Sequence, residues 1–398
     1  MKIAAIIENK VSAGGGFPMS IDLLNSLKLI AMKENFELKI YSFHKENSFF
    51  LRQLDLSFEI ISDSFFDKVF AYFNYTLLGS YIQSKLKYKT FFERKLINDN
   101  IDLVIFVTPS PKPFYLQKIN FACTVYDLCH RDFPEFSEVS EFNIFSLREK
   151  ILEKCLRPSI FILTESEELN KKINENYQIS YSKLISVPNK PTPFFEKIKI
   201  DTDLEKRVLE NFKITYDYFL YPAQFWEHKN HIRIIQALNV LKQKEKKYNF
   251  IFCGIDKGNK NFILSKIEEY NLDSQIKVLN FLNHEELAVL YKNSKGVVMP
   301  TYFGPTNIPP LDAWFFKKPI FYSEHLQKQT FDAAIYFNPD DEFSLANALL
   351  KSEDMNLIKT KVFNGEIELK KVYELRAIAH EKIIKQLNQF NKRKETWK

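Results

Sequence analysis

Short apolar runs alternate with segments of helical periodicity along the whole chain. The apolar runs have the length of strands, and the segments between them repeat their apolar positions at helical spacing. This alternation predicts right-handed βαβ units and mostly parallel sheets. The predicted strands are Ile3–Ile7, Leu38–Phe43, Phe58–Ile61, Leu103–Val107, Ala122–Tyr126, Ile160–Thr164, Leu184–Val187, Tyr218–Pro222, Asn249–Cys253, Ile276–Asn280, Gly296–Pro300, Pro319–Tyr322 and Ala334–Phe337.

A change of composition divides these strands into two series. Asn189–Tyr216 carries two prolines and then many charges, which predicts an interdomain linker followed by the first helix of the second series. Two doubly wound domains would each bind ligands at the carboxyl ends of their strands. Near the C-terminus, Lys370–Phe390 predicts a helix. Its apolar stripe is Val372, Leu375, Ala379, Ile383, Leu387 and Phe390.

One segment, residues 296 to 324, predicts a strand, a loop, a helix and a second strand in close succession. The loop is rich in Gly, Pro, Thr and Asn, and the helix is predicted to begin near Pro309 or Pro310 and to run to about Lys317. Unpaired N–H groups and the positive end of the helix dipole would then point to one spot, which suits a phosphate group. An ordinary turn in an α/β sheet is the alternative.

The same segment resembles the family 4 glycosyltransferases of the GT-B fold. In their motif two Glu residues stand eight positions apart, the second beside Ala on a helix. Ile308–Ala313 is similar to the second half of this motif, with Asp312 in the place of the second Glu. Gly304 stands in the place of the first Glu, and the run Phe303–Asn307 resembles a sub-pattern of the family.

The resemblance implies an α/β protein of two Rossmann-like, doubly wound domains that face each other across a cleft. Residues 1–195 would form the acceptor-side domain and residues 196–370 the nucleotide-sugar-binding domain. Residues 371–398 would form a C-terminal helix that crosses back to the first domain. The similarity extends over most of residues 1–340 and is strongest in 218–340.

A glycine-rich loop follows the first predicted strand, which ends in Glu8. Gly14, Gly15 and Gly16 precede Phe17, and glycines there permit a close approach of the backbone to a sugar or a phosphate. The spacing is not that of the G-x-G-x-x-G dinucleotide motif. A merely flexible turn is the alternative, but the resemblance favours an acceptor-side role for Gly15, Gly16 and Phe17.

Val125–Asp132 follows another strand of the first series and resembles an Asp-Leu-x-His segment of the family. A histidine at a strand end can donate a hydrogen bond to a sugar hydroxyl or act near the reacting carbon. A structural histidine is the alternative. We predict that His130 and Asp127 are catalytic and that His130 also contributes to the acceptor side.

Ala223–His231 resembles the family's segment with a Lys-Asn pair, often preceded by an Arg. Lys229 would neutralise the departing diphosphate, and Gln224 stands near the place of the Arg. A solvated surface lysine is the alternative. His228 and His231 lack partners at zinc-like spacing, so no metal site is expected.

The resemblance also implies donor contacts elsewhere in the second series. Phe281 and Leu282 would lie near the nucleobase, and the carboxylate of Asp312 near the ribose hydroxyls. Gly304 and the amides of Thr306, Asn307 and Ile308 would lie at the diphosphate. No Asp-x-Asp metal motif occurs in a suitable loop.

Composition limits the classes of function. The net charge of +6 is not clustered on one segment apart from the tail Asn391–Lys398, so nucleic-acid binding is not expected. The four cysteines lack paired spacing, which predicts buried reduced thiols. No apolar run approaches the roughly 18 residues that span a bilayer, and MKIAAIIENK predicts a first strand, not a signal peptide. We expect a cytoplasmic protein.

The content of Phe and Tyr, 38 and 19 residues, is high, and many of them fall in Phe50–Phe92 among lysines. This segment is either a helical surface that lies on an anionic membrane or a core helix, and the composition favours the core helix.

The resemblance implies a retaining glycosyltransferase that moves a hexose-type sugar from a nucleotide-diphosphate sugar to a saccharide or lipid-linked acceptor. No cofactor or metal is expected. Analogy suggests the synthesis of bacterial surface polysaccharide or lipopolysaccharide, with peripheral contact on the inner face of the cytoplasmic membrane. The missing Glu and Arg keep open a non-catalytic GT-B subunit that binds a sugar nucleotide or a partner. An epimerase of similar fold is a third alternative.

Overall fold

The computed structural model describes residues 1–10, 16–52, 57–62, 64–74, 76, 79, 81, 85, 89–304 and 306–396. The chain forms two compact units. The first comprises Met1–Pro134, Val139–Pro188 and Leu375–Lys398, and the second comprises Glu135–Glu138 and Asn189–Glu374. A single long helix, Met355–Lys394, therefore contributes residues to both units.

The described part of the first unit contains a parallel sheet of seven strands in the order β3-β2-β1-β4-β5-β6-β7. In the centre β1 pairs with β2 on one side and with β4 on the other. Every residue of β4 is buried, as is typical of a parallel strand covered on both faces. The strands are Lys2–Ile7 (β1), Glu37–Ser42 (β2), Phe58–Ile60 (β3), Leu103–Phe106 (β4), Asn120–Thr124 (β5), Ile162–Thr164 (β6) and Leu184–Ser186 (β7).

The second unit contains a parallel sheet of six strands in its described residues, in the order β10-β9-β8-β11-β12-β13. Its core is continuous and rich in aromatic residues. The Phe219 ring packs against Phe250 on the neighbouring strand and against Phe321 two strands away on the other side. The strands are Phe219–Pro222 (β8), Phe250–Cys253 (β9), Ile276–Leu279 (β10), Gly296–Met299 (β11), Ile320–Ser323 (β12) and Ala334–Phe337 (β13).

Helices connect the strands, as the alternating pattern predicts. The described α-helices are Gly16–Glu34, Ser48–Arg52, Phe65–Asn74, Phe91–Asn98, Cys129–Asp132, Ser137–Ser140, Ile144–Leu156, Glu167–Tyr177, Thr202–Asn211, His231–Gln243, Lys260–Glu269, His284–Asn293, Ile308–Phe315, Glu342–Leu350 and Met355–Lys394.

Each predicted strand is a strand of the structure, with ends that differ by one or two residues. The two parallel sheets confirm the predicted fold class. The helix predicted to begin near Pro309 begins at Ile308 and ends at Phe315. All four cysteines are buried and free of disulfides, as predicted.

The predicted start of the C-terminal helix is wrong by fifteen residues, because the helix begins at Met355 and not at Lys370. Asp354 starts it, since its Oδ1 accepts hydrogen bonds from the N–H groups of Asn356 and Leu357, both at 3.0 Å. Gly365, a poor helix former, lies inside it because a Cβ there would be 2.2 Å from the Trp314 ring.

Candidate functional site

The order of strands in the second sheet marks a place for a ligand. From β8 the chain builds outward through β9 and β10, then returns to the other side of β8 and continues through β11, β12 and β13. The loops after β8 and β11 therefore leave adjacent strands in opposite directions. Open α/β sheets bind ligands at the carboxyl ends of strands at this switch point.

Lys229 follows β8 in a short 3-10 turn, Glu227–Lys229, just before the helix His231–Gln243. The turn is held by a hydrogen bond from the Tyr221 hydroxyl to the Lys229 carbonyl at 2.6 Å. Asn230 has left-handed backbone, with φ of 53°, and its side chain donates to the Pro339 carbonyl at 3.0 Å. Lys229 Nζ donates to Asn307 Oδ1 at 3.3 Å, so two predicted donor residues 78 positions apart meet at the switch point.

The loop after β11 is held in one shape around Gly304. Gly304 has φ of +143°, and a Cβ there would lie 2.5 Å from Asn307 Oδ1. Gln329 Nε2 donates to the Gly304 carbonyl at 2.5 Å, and Asn307 Nδ2 donates to the Tyr322 hydroxyl at 2.6 Å. A glutamate at position 304 would therefore be strained as well as crowded. Pro305 lies outside the described residues.

The helix Ile308–Phe315 follows this loop directly. Pro309 and Pro310 have no N–H, so the amides that precede and open the helix are those of Thr306, Asn307 and Ile308. Asn307 is the N-cap residue, but its side chain bonds to Lys229 and Tyr322 and does not cap the helix. These three amides are the ones predicted for the diphosphate.

Gln224 lies at the end of β8 with one side-chain atom unsatisfied. Its Oε1 accepts a hydrogen bond from Trp226 Nε1 at 3.1 Å. Its Nε2 is buried and has no hydrogen-bond partner among the described residues. A buried donor without a protein partner is uncommon in folded proteins, and this one lies beside the switch point.

The sequence did not indicate the pairing of His228 with Glu138, which lies 90 positions away in a segment that belongs to the second unit. His228 Nδ1 is hydrogen-bonded to Glu138 Oε1, and the His228 ring stacks on Phe303 with centroids 4.0 Å apart. Burial would raise the pKa of Glu138, but the hydrogen bonds that its carboxylate accepts, first among them the one with the His228 ring, together with the His228 charge lower that pKa. The pair anchors the turn that carries Lys229.

Asp312 lies in the helix Ile308–Phe315 and is buried. Its Oδ1 accepts from the Thr192 N–H at 2.7 Å and its Oδ2 from the Thr192 hydroxyl at 3.0 Å. Burial raises the pKa of Asp312 to about 7, although the bonds from Thr192 and Tyr291 oppose this rise. The carboxylate thus has partners in its own unit, and its contact with ribose hydroxyls stays a prediction.

Phe281 and Leu282 follow β10, the edge strand, which is separated from β8 by β9. Phe281 is exposed and Leu282 is half-buried. Asn283 then caps the helix His284–Asn293 in a capping box with Glu286. These residues therefore lie two strands away from Lys229 along the edge of the sheet.

In the first sheet the switch point lies between β1 and β4, because the chain builds outward from β1 through β2 and β3 before it returns. Gly16 and Phe17 follow β1 and open the helix Gly16–Glu34. Phe17 is buried and packs edge-on against Phe50, with ring centroids 5.4 Å apart. Gly14 and Gly15 lie outside the described residues.

The loops at this first switch point carry a polar group that the sequence analysis did not select. Ser110, after β4, donates a hydrogen bond to Glu8, after β1. Lys112 Nζ lies 3.6 Å from Glu8 Oε2 and 3.9 Å from the centre of the Phe43 ring. The one signal in the sequence was that Glu8 stands at the end of a strand. The result is a carboxylate balanced by a hydroxyl and a buried ammonium group.

His130 and Asp127 follow β5, one strand further along the first sheet. His130 lies in a helical turn with 0% of its surface exposed, and its Nε2 is 2.6 Å from Glu149 Oε1. Arg131 Nε and the Tyr177 hydroxyl also donate to that oxygen, both at 2.8 Å.

The surroundings lower the pKa values of both His130 and Glu149. Burial, with the nearby Arg148 charge, lowers the pKa of His130. Burial would raise the pKa of Glu149, but the hydrogen bonds from Arg131 and Tyr177 lower it to about 2. His130 is thus enclosed among its neighbours, and its catalytic role stays a prediction.

Asp127 lines a cavity of about 310 Å³ in the first unit. Its side chain pairs with Arg148 and accepts from the Cys129 N–H at 3.0 Å. The remaining walls are mainly apolar and include Pro109, Val125, Ile151 and Leu152.

The described residues contain no group of three or more His, Cys, Asp or Glu side chains arranged to hold a metal ion. None of the helices in the described part of the chain is long and apolar enough to cross a membrane.

Comparison with known proteins agrees with this architecture. Residues 204–327 match the family model described as glycosyl transferases group 1. No curated protein matches the sequence. The matched residues contain Gln224, Lys229, the loop around Gly304 and the helix with Asp312.

Solved structures match over nearly the whole chain. A glycosyltransferase from Rickettsia africae matches with 15% identity and a TM-score of 0.69, covering 98% of both chains. HepE from Anabaena, in complex with UDP and glucose, matches with 12% identity and a TM-score of 0.71, covering 98% of this chain and all of that one. WaaG, a glycosyltransferase involved in lipopolysaccharide biosynthesis, matches with 14% identity and a TM-score of 0.63, covering 95% and 98%.

These structural matches establish the fold, which is that of GT-B glycosyltransferases. The residues that match the glycosyl transferases group 1 model, 204–327, all lie in the second unit.

Proposed function

We propose that this protein is a retaining glycosyltransferase that moves a hexose-type sugar from a nucleotide-diphosphate sugar to a saccharide or lipid-linked acceptor. We place it in bacterial surface polysaccharide synthesis, in the cytoplasm and peripheral to the inner face of the cytoplasmic membrane. WaaG, of similar fold, acts in lipopolysaccharide biosynthesis. HepE, also of similar fold, binds UDP and glucose.

The contact between Lys229 and Asn307 at the β8–β11 switch point carries the proposal. A fixed ammonium group beside the amides of Thr306, Asn307 and Ile308 forms a positive site where an open sheet binds ligands. A nucleotide diphosphate has the complementary charge. The orphan Nε2 of Gln224 supplies a further donor at the end of the same strand. The nucleobase would extend toward Phe281 and Leu282.

The proposed chemistry depends on charge and orientation. When the bond between the anomeric carbon and the diphosphate breaks, negative charge grows on the departing phosphate oxygen. Lys229 and the loop amides stabilise that charge more in the transition state than in the ground state, which accelerates the step. No covalent enzyme intermediate or metal ion is part of this proposal.

The acceptor is proposed to bind to the first unit, at the loops that follow β1 and β4. Glu8 and Ser110 there offer oxygen atoms to sugar hydroxyls, and Gly16 permits a close approach of the backbone. Glu8 and Ser110 thus join Gly15, Gly16 and Phe17 in the proposed acceptor side, which then includes the loops after both β1 and β4.

A second candidate function has an observation of its own. Gly304 leaves no room for the acidic side chain of the family 4 motif, and Gln224 stands in place of a cation. A GT-B subunit that binds a sugar nucleotide without transferring the sugar would tolerate both changes. It would show saturable binding of the donor and no transfer to any acceptor.

The experiment that tests the proposal is a thermal-shift series with UDP, GDP, ADP and their common sugars, each with and without EDTA. A ligand at 100 times its Kd adds about 2.7 kcal/mol of stability. We expect one nucleotide class to stabilise the protein and EDTA to change nothing. Absence of a shift with every nucleotide would overturn both candidates. A shift without turnover across an acceptor panel would favour the non-catalytic subunit.

A further inference from the structure

The helix Phe65–Asn74 turns its apolar stripe toward solvent. At 100° per residue, Phe65, Val69, Phe73 and Phe66 fall within an arc of about 100°. Their exposed fractions are 74%, 38%, 54% and 64%. Asp67 lies on the opposite side and is buried. A surface helix of a globular protein normally buries such a stripe. The core-helix interpretation that composition favoured is therefore wrong for this helix, although it holds for Phe92, which is buried.

A neighbouring helix extends this surface and holds it in place. The carboxylate of Asp67 accepts hydrogen bonds from the N–H groups of Phe91 and Phe92, both at 2.9 Å, which fastens the first helix to the start of Phe91–Asn98. Phe91 is itself exposed, and its ring centroid lies 6.5 Å from that of Phe66. We call this surface the aromatic face; it consists of Phe65, Phe66, Val69, Phe73 and Phe91.

The charged residues of these two helices are arranged unequally. The acidic side chains, Asp67 and Glu93, are buried and accept hydrogen bonds from backbone N–H groups, Glu93 from Gln117 at 2.7 Å and Lys118 at 2.6 Å. The basic side chains of Lys68 and Arg94 are exposed. Arg94 lies 5.1 Å from the centre of the Phe91 ring. The aromatic face therefore has cations at its margin, while the carboxylates of the same helices are turned inward.

We propose that the aromatic face docks onto the surface of an anionic lipid bilayer. Exposed Phe side chains beside Lys and Arg are the composition of helices that lie in a membrane interface. Anionic headgroups complement Lys68 and Arg94, and the rings enter the apolar boundary below them. The inference rests on the proposed peripheral membrane contact and assigns it to named side chains.

Co-sedimentation of the full chain with vesicles tests the docking. One set of vesicles contains phosphatidylglycerol and phosphatidylcholine, and the other contains phosphatidylcholine alone. The variants are Phe65→Ser with Phe66→Ser, and Lys68→Glu with Arg94→Glu. Phe343→Ser is the matched control, because Phe343 is 56% exposed on a helix of the other unit. Thermal unfolding of each variant establishes that it is folded.

We expect the unaltered chain to bind the anionic vesicles and to bind them less at high salt. The affinity of the double Ser variant for the anionic vesicles should fall by about tenfold or more, because apolar insertion is lost. The double Glu variant should lose the preference for anionic lipid, and the control should bind like the unaltered chain.

Three results would overturn the docking surface. The first is a chain that ignores anionic vesicles, and the second is a double Ser variant that binds them undiminished. The third is self-association that the Ser substitutions abolish without any vesicle binding, which would make the face a contact between copies. The nucleotide thermal shift is measured on the same samples. An unaltered chain that shows the nucleotide shift but no vesicle binding counts against docking alone, and one that binds vesicles without any nucleotide shift counts against the proposed transferase alone.

Discussion

The two sheets have the same kind of switch point but opposite chemistry there. In the second sheet, the loops bring Lys229 to Asn307 in front of backbone amides. In the first sheet, they bring Glu8 to Ser110 and Lys112. A cation beside N–H donors favours a phosphate, whereas a carboxylate repels one and accepts hydrogen bonds from hydroxyls. The same topology can thus hold the charged half of a donor in one unit and a neutral, hydroxyl-rich acceptor in the other.

Residues at a switch point also differ in exposure from residues beside one. His130 and Asp127 follow β5, one strand from the switch point of the first sheet. There the neighbouring helices supply enough partners to enclose His130 completely. Lys229, at the other switch point, stays half-exposed. Both residues follow strand ends, but the structure encloses one of them and leaves the other accessible.

The largest expected effect is at Lys229. Replacing Lys229 with Ala should lower turnover by a factor on the order of 10², because the growing charge on the leaving phosphate loses its ammonium partner. Stability should change little, because the side chain is half-exposed. Steady-state kinetics with the donor found by thermal shift measures the effect.

Lys244→Ala is the matched control, because Lys244 is an exposed lysine at the opposite end of the helix His231–Gln243. Turnover in Lys229→Ala equal to that of the control would contradict the donor assignment. The second switch point would then not differ from the first by binding a phosphate.

The next effect concerns the pH dependence of the second unit. The folded-state pKa of Asp312, about 7, lies above its ordinary value of 3.8. The folded chain thus holds a proton that the unfolded chain releases, and stability falls as pH rises through this range. Between pH 5 and pH 7 the loss is on the order of 2 kcal/mol, at about 1.4 kcal/mol for each pKa unit.

Asp312→Asn cannot titrate, so it should lack this loss when urea unfolding is measured across the range. Asp273→Asn, an exposed change in the same unit, should keep it. An unaltered chain whose stability is flat from pH 5 to pH 7 would contradict the raised pKa of Asp312.

The last expected effect concerns His130. We expect His130→Gln to lower the free energy of unfolding by about 1–3 kcal/mol, because the substitution disturbs a buried hydrogen bond to a charged group. Turnover should change by less than the effect at Lys229, because His130 is enclosed. Chemical denaturation and kcat, measured side by side, separate the two quantities.

Tyr177→Phe removes another donor to Glu149 and should destabilise the first unit in a similar way. If His130→Gln instead keeps full stability and loses turnover as strongly as Lys229→Ala, His130 acts on substrate and the distinction between the two positions disappears.

The positions of Lys229 and of the loop around Gly304 along the chain were predictable. Each lies between a strand and the helix that follows it, which is a local order, and the residues that match the family model contain both. The pairing of His228 with Glu138 was not predictable, because it joins residues 90 positions apart. It also depends on a short segment, Glu135–Glu138, that belongs to the second unit although the residues on both sides of it belong to the first. The polar group at Glu8 was missed because no local motif surrounds it.

The sequence by itself determined the strands, the two-domain α/β class and the loops that follow the strands. These depend on local periodicity and on the turn chemistry of Gly and Pro. Tertiary structure decided which groups are accessible. It enclosed His130, gave the Asp312 carboxylate to Thr192, and turned Phe65 and Phe66 outward. Burial and hydrogen-bond partners arise from contacts between elements distant in the chain, so periodicity along the chain does not record them.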